Sequence, residues 1–211
     1  GGSSGGDVVG VDVWTKQEEW KLRLFDLPQR EPPTGDHGVK GLGVGLFLDA
    51  HAARACYVVA GSETALHFIT ADGEAVHSLA LPAAPTALAV GRFTAEAAAA
   101  GAGQVLVAGE DGWLYLVSGF QLARLQFLGL TVTQILAVDL HDLHGSGEPG
   151  AGAPHAAFLA GHFDNVLCLD EAGAPARELE TGGWVHALSA APDPPTLVAG
   201  CGTRVLGFRI G

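Results

Sequence analysis

The sequence contains no methionine, so its first residue is not an initiator. It has three cysteines, Cys56, Cys168 and Cys201, and no CxxC spacing among them. That odd, scattered set excludes a disulfide framework or a thiolate metal cluster. It predicts small buried hydrophobes in a reducing, cytoplasmic compartment. Charge is scarce, at 16% of 211 residues, and basic charge scarcer, with 11 Lys and Arg against 23 Asp and Glu. A net charge of −12 repels phosphate backbones and excludes nucleic acid as a partner. No run reaches the ~18 apolar residues of a membrane helix, and no basic-then-apolar leader opens the sequence, so membrane insertion is not expected. Residues 1–6, Gly-Gly-Ser-Ser-Gly-Gly, read as a linker or cloning remnant. Residues 1–5 match G-x-S-x-G formally. A nucleophile elbow needs a strand before the motif and a helix after it, and neither is expected there.

What is abundant is hydrophobic residues, at 48%, and glycine, at 31 residues. This suits many short, tightly turned strands. Four segments recur: Val58-Val59-Ala60-Gly61, Leu106-Val107-Ala108-Gly109, Phe158-Leu159-Ala160-Gly161 and Leu197-Val198-Ala199-Gly200. Each reads as a buried strand ending in glycine, with Val58, Val107, Leu159 and Val198 expected to be buried. A second set is Leu42-Gly43-Val44, Leu88-Ala89-Val90, Leu136-Ala137-Val138 and Leu188-Ser189-Ala190. Gly61 to Leu88, Gly109 to Leu136 and Gly161 to Leu188 are each 27 positions. The opposite intervals vary, so half of each unit is rigid and half holds a loop of free length.

Each unit divides into four strands, A to D. In the second, A is 86–93, B is 104–109, C is 113–117 and D is 121–128. The turn Glu110-Asp111-Gly112 joins B to C, as Asp-Gly does in hairpins. Four short antiparallel strands per ~40–50-residue repeat are the signature of a β-propeller blade. The predicted fold is therefore all-β, with blades near 39–81, 86–128, 133–181 and 185–211. Strand A has a small-residue face: Gly41, Gly43 and Gly45, then Ala87, Ala89 and Gly91, then Ala187, Ser189 and Ala191. The last unit lacks a D strand. Residues 20–27 either complete it, closing a four-bladed ring, or belong with Val8 to Trp14 to the C–D hairpin of an earlier blade in a section of a larger propeller.

The third unit reads Ala137-Val138-Asp139-Leu140, then Gly145-Ser146-Gly147-Glu148, Phe158 to Gly161, Val166 to Asp170, Gly173, and Glu180-Thr181-Gly182-Gly183. It resembles FG-GAP, WD40-like and quinoprotein-like propeller repeats, which implies fold far more than function. The run Gly61-Ser62, Leu66-His67-Phe68, Gly73, Ala83-Ala84 and Gly109 to Gly112 is similar to the propeller subunits of the BBSome. That likeness implies a subunit of a eukaryotic assembly, in the cytoplasm, cilium or cytoskeleton.

The richest polar stretch is 139–148. In FG-GAP repeats the matching loop binds calcium, which wants six to eight oxygen ligands. Here Asp139, Asp142, Ser146 and Glu148 offer side-chain oxygen, and His141 and His144 stand where further aspartates would help. Zinc would need His141, His144 and a third ligand, with His155 or His162 the nearest candidates. Neither set is complete, so no metal or cofactor is expected. Paired cysteines and repeated tryptophans of a quinone enzyme are missing, and the nine histidines are scattered, with most expected on blade surfaces or loops. No catalytic residue is assigned. The expected role is a non-catalytic scaffold binding other protein subunits, with His141, Asp142, His144 and Glu148 in the partner-binding loop. The alternative is a calcium- or small-ligand-binding propeller of FG-GAP type.

Overall fold

The structure, a computed structural model, describes residues 6–27, 38–48, 54–140, 154–170 and 172–210. Its elements among the described residues are β-strands, with a short α-helix at Ala95–Ala100 and a 3-10 turn at Leu24–Asp26. The first blade comprises β3 (Val39–Leu48), β4 (Arg54–Ser62), β5 (Ala65–Ile69) and β6 (Ala75–Ala80), paired antiparallel in chain order. The second comprises β7 (Pro85–Gly91), β8 (Gln104–Gly109), β9 (Trp113–Ser118) and β10 (Gln121–Phe127). The third comprises β11 (Val132–Val138), β12 (Ala156–Gly161), β13 (Asn165–Leu169) and β14 (Pro175–Glu180). The last is a three-stranded sheet of β15 (Val185–Pro192), β16 (Pro195–Cys201) and β17 (Arg204–Arg209). The local chemistry accounts for the turns. At the tip between β8 and β9, Gly112 takes φ +78 and the Asp111 carboxylate accepts from Trp113 N–H.

Residues 20–27 do not complete the last sheet. Among the described residues, β1 (Asp7–Val11) and β2 (Glu18–Arg23) pair with each other alone, and the alternation breaks at Arg23 into a 3-10 turn, Leu24–Asp26. This hairpin lies on the first blade. Val8 and Leu24 bury themselves against Ala60 and Ile69. Trp20 donates its indole N–H to Ala71 O at 2.7 Å and covers Gly73 so closely that a Cβ there would lie 2.6 Å from the ring.

The blades pack face to face in chain order, with β3 on β7, β7 on β11 and β11 on β15. Each A–B pair carries a bulge at the same end: Val39 faces Ser62, Pro85 faces Gly109, Val132 faces Gly161 and Val185 faces Cys201. These positions step by 46, 47 and 53 residues. Aligning the bulges makes Ala60, Val107, Leu159 and Ala199 equivalent, and all four are 0% exposed. The recurring four-residue segments are therefore one residue out of structural register in the first and last blades. Val58, expected to be buried, is half-buried two residues along from Ala60. Val198, also expected to be buried, is half-buried on the opposite face, which no described sheet covers. A one-residue offset turns a strand residue to the other face of its sheet.

This assignment is testable. Leu159→Ala should cost about 2–5 kcal/mol, by lost burial plus a cavity. Val198→Ala should cost about 1 kcal/mol or less, because that face is already wet. Equal shifts of the two urea midpoints would overturn the face assignment.

The small-residue row of β3 has a packing reason. A Cβ on Gly41 would lie 2.8 Å from Leu88 Cγ, and one on Gly43 2.5 Å from Val90 Cγ2. The inner strands approach so closely that side chains from only one of them fit. Cys56 departs from expectation: it is exposed, whereas Cys201 is buried and Cys168 half-buried. His67 also departs, being fully buried. Its Nε2 lies 3.2 Å from Ser62 Oγ and its Nδ1 2.9 Å from Ser78 Oγ.

Candidate functional site

The A–B connectors share one rim, where the second and third blades build a cluster. β7 ends at Gly91, and Arg92 follows directly. Its Nη2 donates to Asp139 Oδ2 at 2.9 Å, just beyond the end of β11. Its Nε donates to His155 Nε2 at 3.2 Å, just before β12. The backbone N–H of His155 donates to Arg92 O at 2.7 Å, tying the two blades together. A guanidinium with donors in a fixed fork suits this bridging geometry better than a lysine would.

Behind Arg92, the connector is held from below. Gln104, 2% exposed, accepts from Phe93 N–H at 2.8 Å and Thr94 N–H at 3.1 Å through Oε1. Its Nε2 donates to Thr94 Oγ1 and Ser118 Oγ. Thr94 in turn caps the helix α1 (Ala95–Ala100), accepting from Ala97 N–H, and Gly101 ends it at φ 62. The Thr cap, alanine run and terminal glycine are a helix signature. That short helix went unpredicted amid the strand periodicity.

Between the two blades lies a cleft of about 320 Å³. Phe93, Leu106, Leu116, Leu125 and Leu169 supply apolar walls, and Thr94, His155 and Asp170 supply polar groups. The Asp170 carboxylate accepts from its own turn, from Ala172 and Ala174 N–H at 2.9 Å. The arrangement can grip an apolar group and orient it by a few polar contacts. Among the described residues that line it, no nucleophile is paired with a base.

Of the sequence-assigned residues, Asp139 belongs to this cluster, with one carboxylate oxygen engaged by Arg92. His141, Asp142, His144 and Glu148 lie outside the described residues. His155 receives hydrogen bonds from Arg92. His162 sits at the other end of β12, about 20 Å away along a six-residue strand, so it cannot join His155 around one ion. Among the described residues, no three His, Cys, Asp or Glu side chains converge as a metal site. No described helix is long and apolar enough to cross a membrane. Arg92 and Gln104 were missed from sequence. The available signal was Arg92 itself, one of 11 basic residues, placed directly after an inner strand.

No family model matches the sequence, and no curated protein matches it. Solved structures do. The chain is similar to BBS1N, crystallised in complex with ARL6DN, with a TM-score of 0.67 and 14% identity over 98% of this chain. The match covers 60% of the BBS1N chain, so the present sequence spans less than two thirds of that structure. It is also similar to a protein of unknown function from Bacteroides caccae, with a TM-score of 0.59 and 12% identity, covering 100% of this chain and 67% of that one. At these identities the likeness concerns architecture, and together with three four-stranded antiparallel sheets and a three-stranded one packed in chain order it establishes a β-propeller fold.

Proposed function

We propose that this chain is a non-catalytic binding scaffold within a multi-protein assembly, engaging partner proteins through the rim of A–B connectors. One observation carries the reading: strands are committed to face-to-face packing, while the connectors of this rim differ from blade to blade. The second blade inserts α1, the third joins β11 to β12 through residues 139–155, and the last turns within 193–194. Such connectors change without cost to the core, which is where recognition evolves. The likeness to BBS1N, solved bound to ARL6DN, supports a protein partner. The loop residues His141, Asp142, His144 and Glu148 are the proposed contacts. A cytoplasmic, ciliary or cytoskeletal setting rests on the same likeness.

Replacing residues 143–152 by a short Gly/Ser turn tests the reading. Closure entropy changes slowly with loop length, so stability should move by about 1 kcal/mol or less. Pull-down of partners should fall. Unchanged capture would refute the assignment of this loop, and a far lower Tm would make the loop structural. The cleft of about 320 Å³ favours a second reading, a small-ligand-binding propeller. Thermal-shift screening with small apolar acids and amines, with chelator and calcium arms, separates the two. The scaffold reading expects no shift in any arm; a rise of several degrees with calcium would favour the FG-GAP alternative.

A further inference from the structure

We infer a second docking surface on the opposite rim, built for a partner segment that carries an apolar anchor flanked by lysine or arginine. This goes beyond the A–B rim and shares no residue with it. The rim in question holds the B–C turns and the connectors between blades. Three large apolar side chains stand out there in solvent: Phe127 is 54% exposed, Leu130 37% and Trp184 55%.

They form one ridge. Phe127 is the cross-strand partner of Trp113, and their rings lie 5.3 Å apart. Leu130 follows in the connector to the third blade. Its neighbour Thr131 accepts from His162 N–H at 3.0 Å. The His162 ring stacks on Trp184 at 4.7 Å and 25°. Aromatic residues exposed side by side keep their desolvation energy in reserve for a partner, and tryptophan is the commonest anchor of that kind.

The ridge is rigid. Leu128 and Gly129 N–H both donate to Gly112 O. Thr181 N–H donates to Asp164 O at 2.9 Å, and Thr181 Oγ1 donates to Gly183 O at 2.8 Å. Arg204 donates to the carbonyls of Thr181 and Gly182. A surface already held in place loses little freedom on binding.

Charge selects the occupant. Glu110, Asp111, Asp164 and Glu180 are exposed along the ridge, and Arg204 is an exposed cation beside them. A field of this sign favours basic segments and repels acidic ones.

The test uses the full chain and two synthetic helical peptides, one of leucine and lysine in an amphipathic pattern, the other with glutamate for every lysine. Amide NMR at low salt is the readout. The lysine peptide should shift residues 110–113, 127–131, 162–164 and 180–184 saturably, and the glutamate peptide should not. The double variant Phe127→Ala/Trp184→Ala, with its circular dichroism unchanged, should raise Kd about 10-fold or more. Equal binding of both peptides, or binding untouched by the double variant, overturns the proposal. Shifts confined to 92–103 and 154–157 overturn it too, while leaving the A–B rim reading intact. No saturable shift with either peptide also overturns it, and the loop-shortening experiment still reads the first rim separately.

Discussion

Gly43→Leu should destabilise the protein by about 2–3 kcal/mol, read as a lowered urea midpoint at unchanged m-value. The inner strands β3 and β7 meet through the glycine row of one and the branched side chains of the other. A Cβ at position 43 already reaches 2.5 Å from Val90 Cγ2, and Val90 is hemmed in against the first blade's core. Three further carbons would press on Val90 and on Leu88, whose Cδ1 lies 3.4 Å from that Cβ. The same chemistry on the uncovered face gives the control. Gly200 occupies the repeat position of Gly61, and its Cβ would meet nothing nearer than 3.7 Å, the Ala187 Cβ. Gly200→Ala should therefore be neutral or stabilising by about 0.4–1 kcal/mol, through the unfolded chain. Equal losses at both positions would mean that backbone freedom, and not inter-blade contact, placed these glycines.

The second large effect is a loss of stability in mild acid that traces to one histidine. Burial pushes the His67 imidazole down to about 4 from its ordinary 6.5. The folded state therefore holds it neutral, between Ser62 and Ser78, while the unfolded chain protonates it below pH 6.5. Above 6.5 both states are neutral and stability is whole. Between 6.5 and 4 the unfolded state gains the proton first, and stability falls by on the order of 3 kcal/mol across that window. Below 4 both states are charged and the slope from this group vanishes. Denaturant unfolding of the wild type and His67→Gln at pH 7.5 and 4.5 isolates the contribution, since other titrations cancel in the difference. His67→Gln should begin less stable, because at least one serine hydroxyl loses its partner, and should then lose less on acidification. Identical pH dependence in the two proteins would show that His67 does not resist protonation.

How far the sequence reaches is clearest in the second blade. Its B strand, Gln104–Gly109, matches the reading from residues alone, and the other three strands agree to within a residue or two. Turn chemistry such as Asp111-Gly112 and the alternation of apolar residues act within about ten residues of chain, so they are legible there. Strand number, pairing order and the loop-bearing rim follow from them, because consecutive short strands fold back on each other.

Tertiary structure alone decided which face of each strand is covered. The bulges near Val39, Pro85, Val132 and Val185 set the register, and a recurring four-residue segment does not reveal a bulge. Whether β2 would pair with β17 or with β1 depended on a choice between distant and neighbouring edges. The six-residue gap between β1 and β2 made the neighbouring pair easier to close. The pairing of Arg92 with Asp139, 47 residues on, follows from two sheets packing face to face. So does the exposure of Phe127, Leu130 and Trp184. Hydrophobicity says that a side chain gains by burial; only the arrangement of neighbouring sheets determines whether anything is there to bury it.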